Sequence, residues 1–239
     1  MKPRSKKSDT SPVPSEALDA LGHHAVRYVR QGQTIGLGTG RAANAFIHAL
    51  AAAKFAVRGV ATSNVSAELA RALGIELIEL SDTARIDTDF DGADEVDPRL
   101  NMIKGWGGAM VREKIVAAAS RKRIFLVGEE KIVPRLGSRG SLPVEIVPFA
   151  FSFASRAIAR LGLKPHPRVN HDGSWFVTDN GNRVINFGVK EINNPARLER
   201  ELLSIPGVVG TGLFLGIADM VLVAMRDGSI KTLRRTAKS

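Results

Sequence analysis

The sequence predicts an α/β fold, in which a doubly wound, mostly parallel sheet is joined to a smaller ferredoxin-like α+β domain. Three observations carry this. In the first half of the chain, short apolar strands alternate with helical stretches, the rhythm of βαβ units. After Lys131 the order becomes strand–helix–strand–strand–helix–strand, the split βαβ arrangement. The length of 239 residues and an apolar share of 44% suffice for a sizeable core, in one large domain or two small ones.

The elements follow in order. SEALDALGHHAVRYV (15–29) has helical spacing, with Ser15 as the expected N-cap. QTIGLG (33–38) is an apolar strand that runs into glycines, and RAANAFIHALAAA (41–53) is helical. FAVRGVATS (55–63) reads as a strand, NVSAELARALG (64–74) as a helix closed by Gly74, and IELIEL (75–80) as a strand. Ile86, Thr88 and Phe90 alternate with aspartates, as in a strand leaving the sheet. A helix over 108–120 and an apolar strand RIFLVG (123–128) complete this half.

VPRLGSRGSLP (133–143), punctuated by Pro and Gly, reads as a linker. Beyond it come strand VEIV, helix FSFASRAIARLG, strand KPHPRV, and a hairpin whose turn is marked by Asn180–Gly181. Helix NPARLERELLS and strand GVVGTGLF follow. DMVLVAM and the turn at Asp227–Gly228 are expected to return to the first sheet. The expected division is therefore a large domain over 15–137 and 216–232 and a small one over 138–215. A disordered basic tail is expected over 1–14 and a basic C-terminal tail over 233–239.

Charge and composition narrow the function. The net charge of +10 would suit a nucleic-acid binder. Much of it lies in the tails, however: Lys2, Arg4, Lys6 and Lys7 against Asp9 at one end, and Lys231, Arg234, Arg235 and Lys238 at the other. The body is close to balance, so no nucleic-acid partner is expected. No apolar run has the length of a membrane span, and MKPRSKKSDTSPVPS has no apolar segment of a secretory signal behind it. The chain has no cysteine, which removes thiol nucleophiles and thiolate metal sites and fits a reducing, cytoplasmic setting. The five histidines show no ligand spacing and adjoin no nucleophile motif.

Three stretches carry chemistry. TIGLGTGRAANAF (34–46) runs from a strand through glycines into a helix, a geometry that holds an anion on unpaired helix N–H groups. GTGRAA (38–43) matches the dinucleotide pattern, but Thr62 and Ser63 stand where that fold places an acidic ribose ligand. A phosphate is expected there, and not NAD.

The second, DTDFDGADEVDP (87–98), holds six carboxylates. Asp87, Asp89, Asp91 and Gly92 match half of an EF-hand loop, yet its twelfth position is Pro98 instead of a bidentate Glu, and its flank is strand-like. Calcium is rejected. A magnesium site stays open, since clustered carboxylates suit hard cations, as does a solvated acidic turn. Asp91 and Asp94 fall at the carboxyl end of a parallel strand, where open α/β sheets bind ligands.

In the third, MIKGWGGAMVREKIV (102–116), a second glycine-rich turn leads into a helix, with Lys104 before it. Glu113 lies among Met110, Val111, Ile115 and Val116, where desolvation would raise its pKa. An exposed Glu paired with a nearby cation is the plainer alternative. Lys131 ends the segment after RIFLVGEE, again at a carboxyl end.

Taken together and in this order, these runs resemble ribose-5-phosphate isomerase type A. The resemblance rests on GLGTG, DGADEVD, MIKGWGGAMVREKI, the Lys of GEEKIV, LPVEIVP, FVTDNGN and IPGVVGTGLF, and spans about residues 25 to 232. It implies a Rossmann-like large domain, a ferredoxin-like small one, and a homodimer or dimer of dimers. It implies the cofactor-free, metal-free interconversion of ribose 5-phosphate and ribulose 5-phosphate in the pentose phosphate pathway. By position it makes Glu113 the general base, Lys104 and Lys131 substrate-binding lysines, and Asp91 and Asp94 holders of sugar hydroxyls. Lys104, as oxyanion stabiliser with the amides of Gly105 to Gly108, and Asp91 or Asp94, for ring opening and the hydroxyl proton, are then catalytic too. The substrate-binding set is then Thr39, Gly40, Arg41 and Ala42, with Gly92 and Ala93 beside the aspartates and Gly105, Trp106 and Gly107 after Lys104.

The chain departs from the family pattern at three places. Its loop reads GTGRAA where the family usually continues G-T-G-S-T, so Arg41 either meets the phosphate or points to solvent. Trp106 stands where Gly is usual, and the N-terminal helix has no Lys near Leu18 and Asp19. Two other functions fit the architecture. An aminosugar-phosphate deaminase or lactonase would favour a histidine at the site; a phosphosugar-sensing module would have no need of Glu113.

Overall fold

The computed structural model describes residues 11–83 and 85–235. Most of the two basic segments, 1–10 and 236–239, lies outside these. Helix α1 (Ser15–Val26) precedes strand β1 (Thr34–Leu37), whose four residues are all buried, as a strand covered on both faces requires. Then follow α2 (Arg41–Ala52), β2 (Arg58–Ala61), α3 (Asn64–Ala72), β3 (Glu76–Leu77) and β4 (Ile86–Gly92). Two short strands, β5 (Glu95–Val96) and β6 (Met102–Ile103), lead to α4 (Met110–Ala119) and β7 (Ser120–Gly128).

The second half begins with β8 (Ser141–Ile146), α5 (Phe151–Arg160), β9 (Pro165–Pro167), β10 (Arg183–Gly188), α6 (Pro195–Leu203) and β11 (Val208–Thr211). It ends with β12 (Leu213–Phe214), β13 (Met220–Ala224) and β14 (Ile230–Arg234).

The main sheet has the order β14-β13-β7-β4-β1-β2-β3, parallel except for the edge strand β14. From β1 the chain winds outward through β2 and β3, then returns to the other side of β1 with β4 and continues through β7 to β13. The switch point lies between β1 and β4, so their carboxyl ends open a crevice. One face packs under α1 and α2, where Phe46 stacks on Phe90 with ring centroids 4.2 Å apart. These helices meet closely: a Cβ on Gly22 would lie 2.5 Å from the Ala45 carbonyl oxygen. The other face is covered by α4 and by the short strands.

The second sheet is antiparallel, in the order β11-β8-β10-β9, which is the ferredoxin-like arrangement. Helices α5 and α6 close its core. No helix among the described residues is long and apolar enough to cross a membrane.

Several expectations need correction. Ser15 is the first helical residue, not the cap; Pro14 precedes it with no side-chain cap bond. IELIEL shrinks to the two residues of β3, because at the sheet edge only those find a partner. The expected linker surrenders Ser141 to Pro143 to β8. The tails are shorter than expected: Val13 is buried in the main core, and Leu233 and Arg234 belong to β14. A third sheet, β12-β6-β5, has strands of two residues, too short to leave a period in the sequence. It pairs Glu95 and Leu213 with Ile103, and so anchors the segments that carry Asp94 and Lys104.

Candidate active site

The crevice at the switch point opens into a cleft of about 240 Å³. The turn after β1 supplies Thr39, Gly40, Arg41 and Ala42 to its wall. The turn after β4 supplies Gly92, Ala93 and Asp94, and Lys131 follows β7. Lys104, Gly105, Gly107 and Glu113 come from the β6–α4 segment.

Lys104 is the centre of the charge arrangement. It is 2% exposed, and its Nζ lies 2.9 Å from Asp91 Oδ2, 3.3 Å from Glu113 Oε1 and 2.5 Å from the Gly92 carbonyl oxygen. The Phe125 and Phe214 rings lie 5.8 and 5.5 Å away. Burial alone would lower the pKa of this amine; Asp91 and Glu113 overcome it and hold the ammonium above the ordinary lysine value.

Glu113 sits near the start of α4, 4% exposed, with its Oε2 buried and lacking a hydrogen-bond partner. Burial first, and then the charge of Asp91, push its pKa up to about 8, against the pull of Lys104. A spare oxygen and a raised proton affinity are what general-base chemistry asks of a carboxylate. The paired, solvent-exposed Glu of the plainer reading is thereby excluded.

Asp94 Oδ2 accepts from the Trp106 N–H at 3.0 Å, yet burial still raises its pKa. Asp91, expected to hold a sugar hydroxyl, is 0% exposed and is not part of the cleft wall. Its Oδ1 accepts from the N–H groups of Thr39 at 3.0 Å and Gly92 at 2.7 Å, while Oδ2 faces Lys104. Asp91 thus ties the two turns to Lys104 from beneath. Gly38 permits this approach: a Cβ there would lie 2.2 Å from Asp91 Oδ1 and 2.4 Å from its Cα.

The two glycine turns differ from expectation in detail. The Thr39 hydroxyl faces inward, 2.9 Å from Thr62 Oγ1 and 2.8 Å from Ser63 Oγ, so it braces the loop. The first N–H groups of α2 remain for an anion, and Arg41 is exposed, donating to the Val13 carbonyl at 3.3 Å. In the second turn, Gly105 and Gly108 have φ of +98° and +90°. The Trp106 amide is committed to Asp94 and the Gly108 amide to the Gly105 carbonyl. The amides of Gly105 and Gly107 alone stay available in the cradle. Trp106 does not line the cleft; its Nε1 donates to the Ser141 carbonyl at 3.1 Å.

Arg139 and Glu130 also line the cleft, and Arg168 donates to the carbonyls of Gly105 and Trp106 at 3.2 and 3.1 Å. Arg139 and Arg168 lie in loops without periodicity, so no spacing announced them; Glu130, in the short helical turn Glu129–Lys131, stands next to Lys131. Among the described residues, no histidine lines the cleft.

A buried lysine between two buried carboxylates, one with a raised pKa and an unpartnered oxygen, beside the first turn of a helix at the sheet's switch point, suits a sugar-phosphate isomerase of the aldose–ketose kind. The comparisons agree. The family model described as ribose 5-phosphate isomerase A (phosphoriboisomerase A) matches residues 58–228. Ribose-5-phosphate isomerase A of Roseiflexus sp. (strain RS-1) is 46% identical over 216 residues, covering 87% of this chain and 91% of the relative. That of Thermomicrobium roseum is 40% identical over 224 residues, covering 92% and 94%.

Among solved structures, ribose 5-phosphate isomerase A from Methanocaldococcus jannaschii superimposes with a TM-score of 0.86 at 36% identity, covering 92% of this chain and all (100%) of that one. A D-ribose-5-phosphate isomerase in complex with phospho-erythronic acid gives 0.88 at 34% identity, covering 92% and 98%. The chain belongs to the ribose 5-phosphate isomerase A family. It is an isomerase of ribose 5-phosphate.

Proposed function

We propose that the cleft interconverts ribose 5-phosphate and ribulose 5-phosphate through an enediolate, with Glu113 moving one proton between C2 and C1. The observation that carries this reading is the Lys104–Glu113 contact of 3.3 Å, a cation beside a carboxylate whose other oxygen is free. As the proton leaves C2, negative charge grows on the carbonyl oxygen, and Lys104 with the amides of Gly105 and Gly107 stabilises it. Asp94 takes and returns the hydroxyl proton during ring opening. The phosphate meets the start of α2 with Arg41, and Lys131 from the opposite wall. Asp91 supports Lys104 from below.

The absence of histidine from the cleft wall favours this over deaminase or lactonase chemistry. A buried Glu113 with a raised pKa has no place in a pure sensor. The exposed Phe149, Phe153 and Val209 of the small sheet region support self-association, and we read the enzyme as a homodimer or dimer of dimers. Light scattering on the purified chain tests that. A cytoplasmic location, among the enzymes of the pentose phosphate pathway, is the reading that fractionation tests.

The functional test is conversion of ribose 5-phosphate in excess chelator, with Glu113→Gln alongside. The unmutated protein converts it, and the substitution lowers kcat by about 10²- to 10⁴-fold. An unimpaired Gln variant overturns the role of Glu113.

A further inference from the structure

Arg139 lies in the Gly-rich segment between β7 and β8, yet its side chain reaches the cleft wall. The backbone that carries it is fixed from below. Glu95, 0% exposed and adjacent to Asp94 in the chain, accepts the N–H of Gly137 at 2.6 Å and of Arg139 at 2.7 Å. Gly137 and Gly140, with φ of +90° and +94°, make the turn. A carboxylate buried to hold two loop amides costs desolvation, so the position of this turn is strongly specified.

The side chain is only partly satisfied. Nη1 donates to the Glu130 carbonyl at 2.7 Å, whereas Nε is buried without a partner. The guanidinium lies 5.7 Å from the centroid of the Trp106 ring, and the Lys131 ammonium lies 5.3 Å from the same centroid. One indole thus carries two cations at the mouth of the cleft. They repel each other, and the pKa of Lys131 is lowered, first by burial and then with Arg139 and Arg41 acting in the same direction. The acids around them are Asp94, already bonded to the Trp106 amide, Glu130, and the buried Glu95, which the Arg139 charge also attracts but which is bonded to the Gly137 and Arg139 amides. An anion placed between the cations would offset their repulsion and give an acceptor to the part of the guanidinium fork that the Glu130 carbonyl leaves uncommitted.

We propose that Arg139 is a specificity-determining residue that binds the phosphate group of the substrate jointly with Lys131, a role that rests on reading this cleft as the sugar-phosphate site. Trp106 acts as the spacer that sets the two cations side by side. The positive charge at this end of the cleft selects phosphorylated over free sugars, and the Glu113 end performs the chemistry.

The full chain and its Arg139→Met and Arg139→Lys variants test this. KM and kcat are measured with ribose 5-phosphate, kcat/KM with unphosphorylated ribose, and the competitive inhibition constant with inorganic phosphate. Arg139→Met raises KM and the phosphate inhibition constant together, by about 10- to 100-fold, and leaves kcat and the ribose value nearly unchanged. Arg139→Lys restores part of the loss, since it keeps the charge without the fork. It also keeps the test alive if the Met variant fails to fold.

An unmoved phosphate inhibition constant overturns the proposal, as do equal losses with ribose and ribose 5-phosphate, which would mark a structural role. Failure of the unmutated protein to turn over ribose 5-phosphate would instead refute the reading of the cleft.

Discussion

Replacing Lys104 with Met removes the charge at the centre of the site and keeps most of the side-chain volume. The ammonium lies 2.9 Å from Asp91 and 3.3 Å from Glu113, with all three groups at most 5% exposed. Without it two buried carboxylates face each other with no cation between them. Breaking a buried ion pair from one side costs about 3–5 kcal/mol. For a chain of this size that lowers Tm by about 6–20 °C. The pH dependence carries the sharper test.

Glu113, whose folded pKa already lies at about 8, moves higher once the lysine is gone. A raised carboxylate pKa contributes stability that is complete below the unfolded value near 4.5 and is lost as pH rises through the folded value. The part of the Lys104→Met defect that comes from Glu113 is therefore small near pH 5 and largest above pH 8, on top of the lost Asp91 contact. Denaturant unfolding across that range measures it, and adding Asp91→Asn to the variant recovers part of the loss. Activity falls by at least about 10²-fold, as for loss of an oxyanion donor. A defect independent of pH, or one under about 1 kcal/mol, would refute the view that Lys104 compensates buried negative charge.

Three further outcomes follow from the same geometry. Because the base must be unprotonated, kcat/KM of the unmutated enzyme rises with pH and levels off above about 8; a flat profile from pH 6 to 9 would contradict the raised pKa of Glu113. Asp89, 1% exposed with both oxygens unpartnered, has its pKa raised well above the ordinary value, first by burial and then by Asp91. Its stability contribution is complete at low pH and lost on raising the pH, so Asp89→Asn gains stability at pH 8 relative to pH 5, by about 1–3 kcal/mol in urea unfolding. Gly38→Ala would drive a methyl group into Asp91, so it costs about 1–3 kcal/mol and raises KM; normal kinetics and Tm would show that β1 and β4 can separate freely.

What was legible in the sequence was what rests on local pattern. The buried strands TIGL, FLVG and MVLVA announced themselves as apolar runs, and the helices by their period, because each needs only neighbours in the chain to declare its burial. The place where these residues gather was equally legible. Glycine turns at strand ends and carboxylates beside them mark the carboxyl edge of a parallel sheet wherever the helices go.

Only the tertiary structure decided how these residues divide the work. Asp91 and Asp94 stand three positions apart, at the end of β4 and in the turn that follows, but the first is sealed under Lys104 while the second faces the cleft. Burial of that kind depends on what packs from elsewhere, here Thr39 and Lys104. The two-residue strands of the third sheet, and the approach of Arg139 and Arg168 from far along the chain, likewise depend on partners distant in sequence. A local pattern can mark a strand end as a place for chemistry. Which carboxylate is left with a free oxygen and a raised pKa depends on solvent exclusion and on charges that only the folded chain brings within a few ångströms.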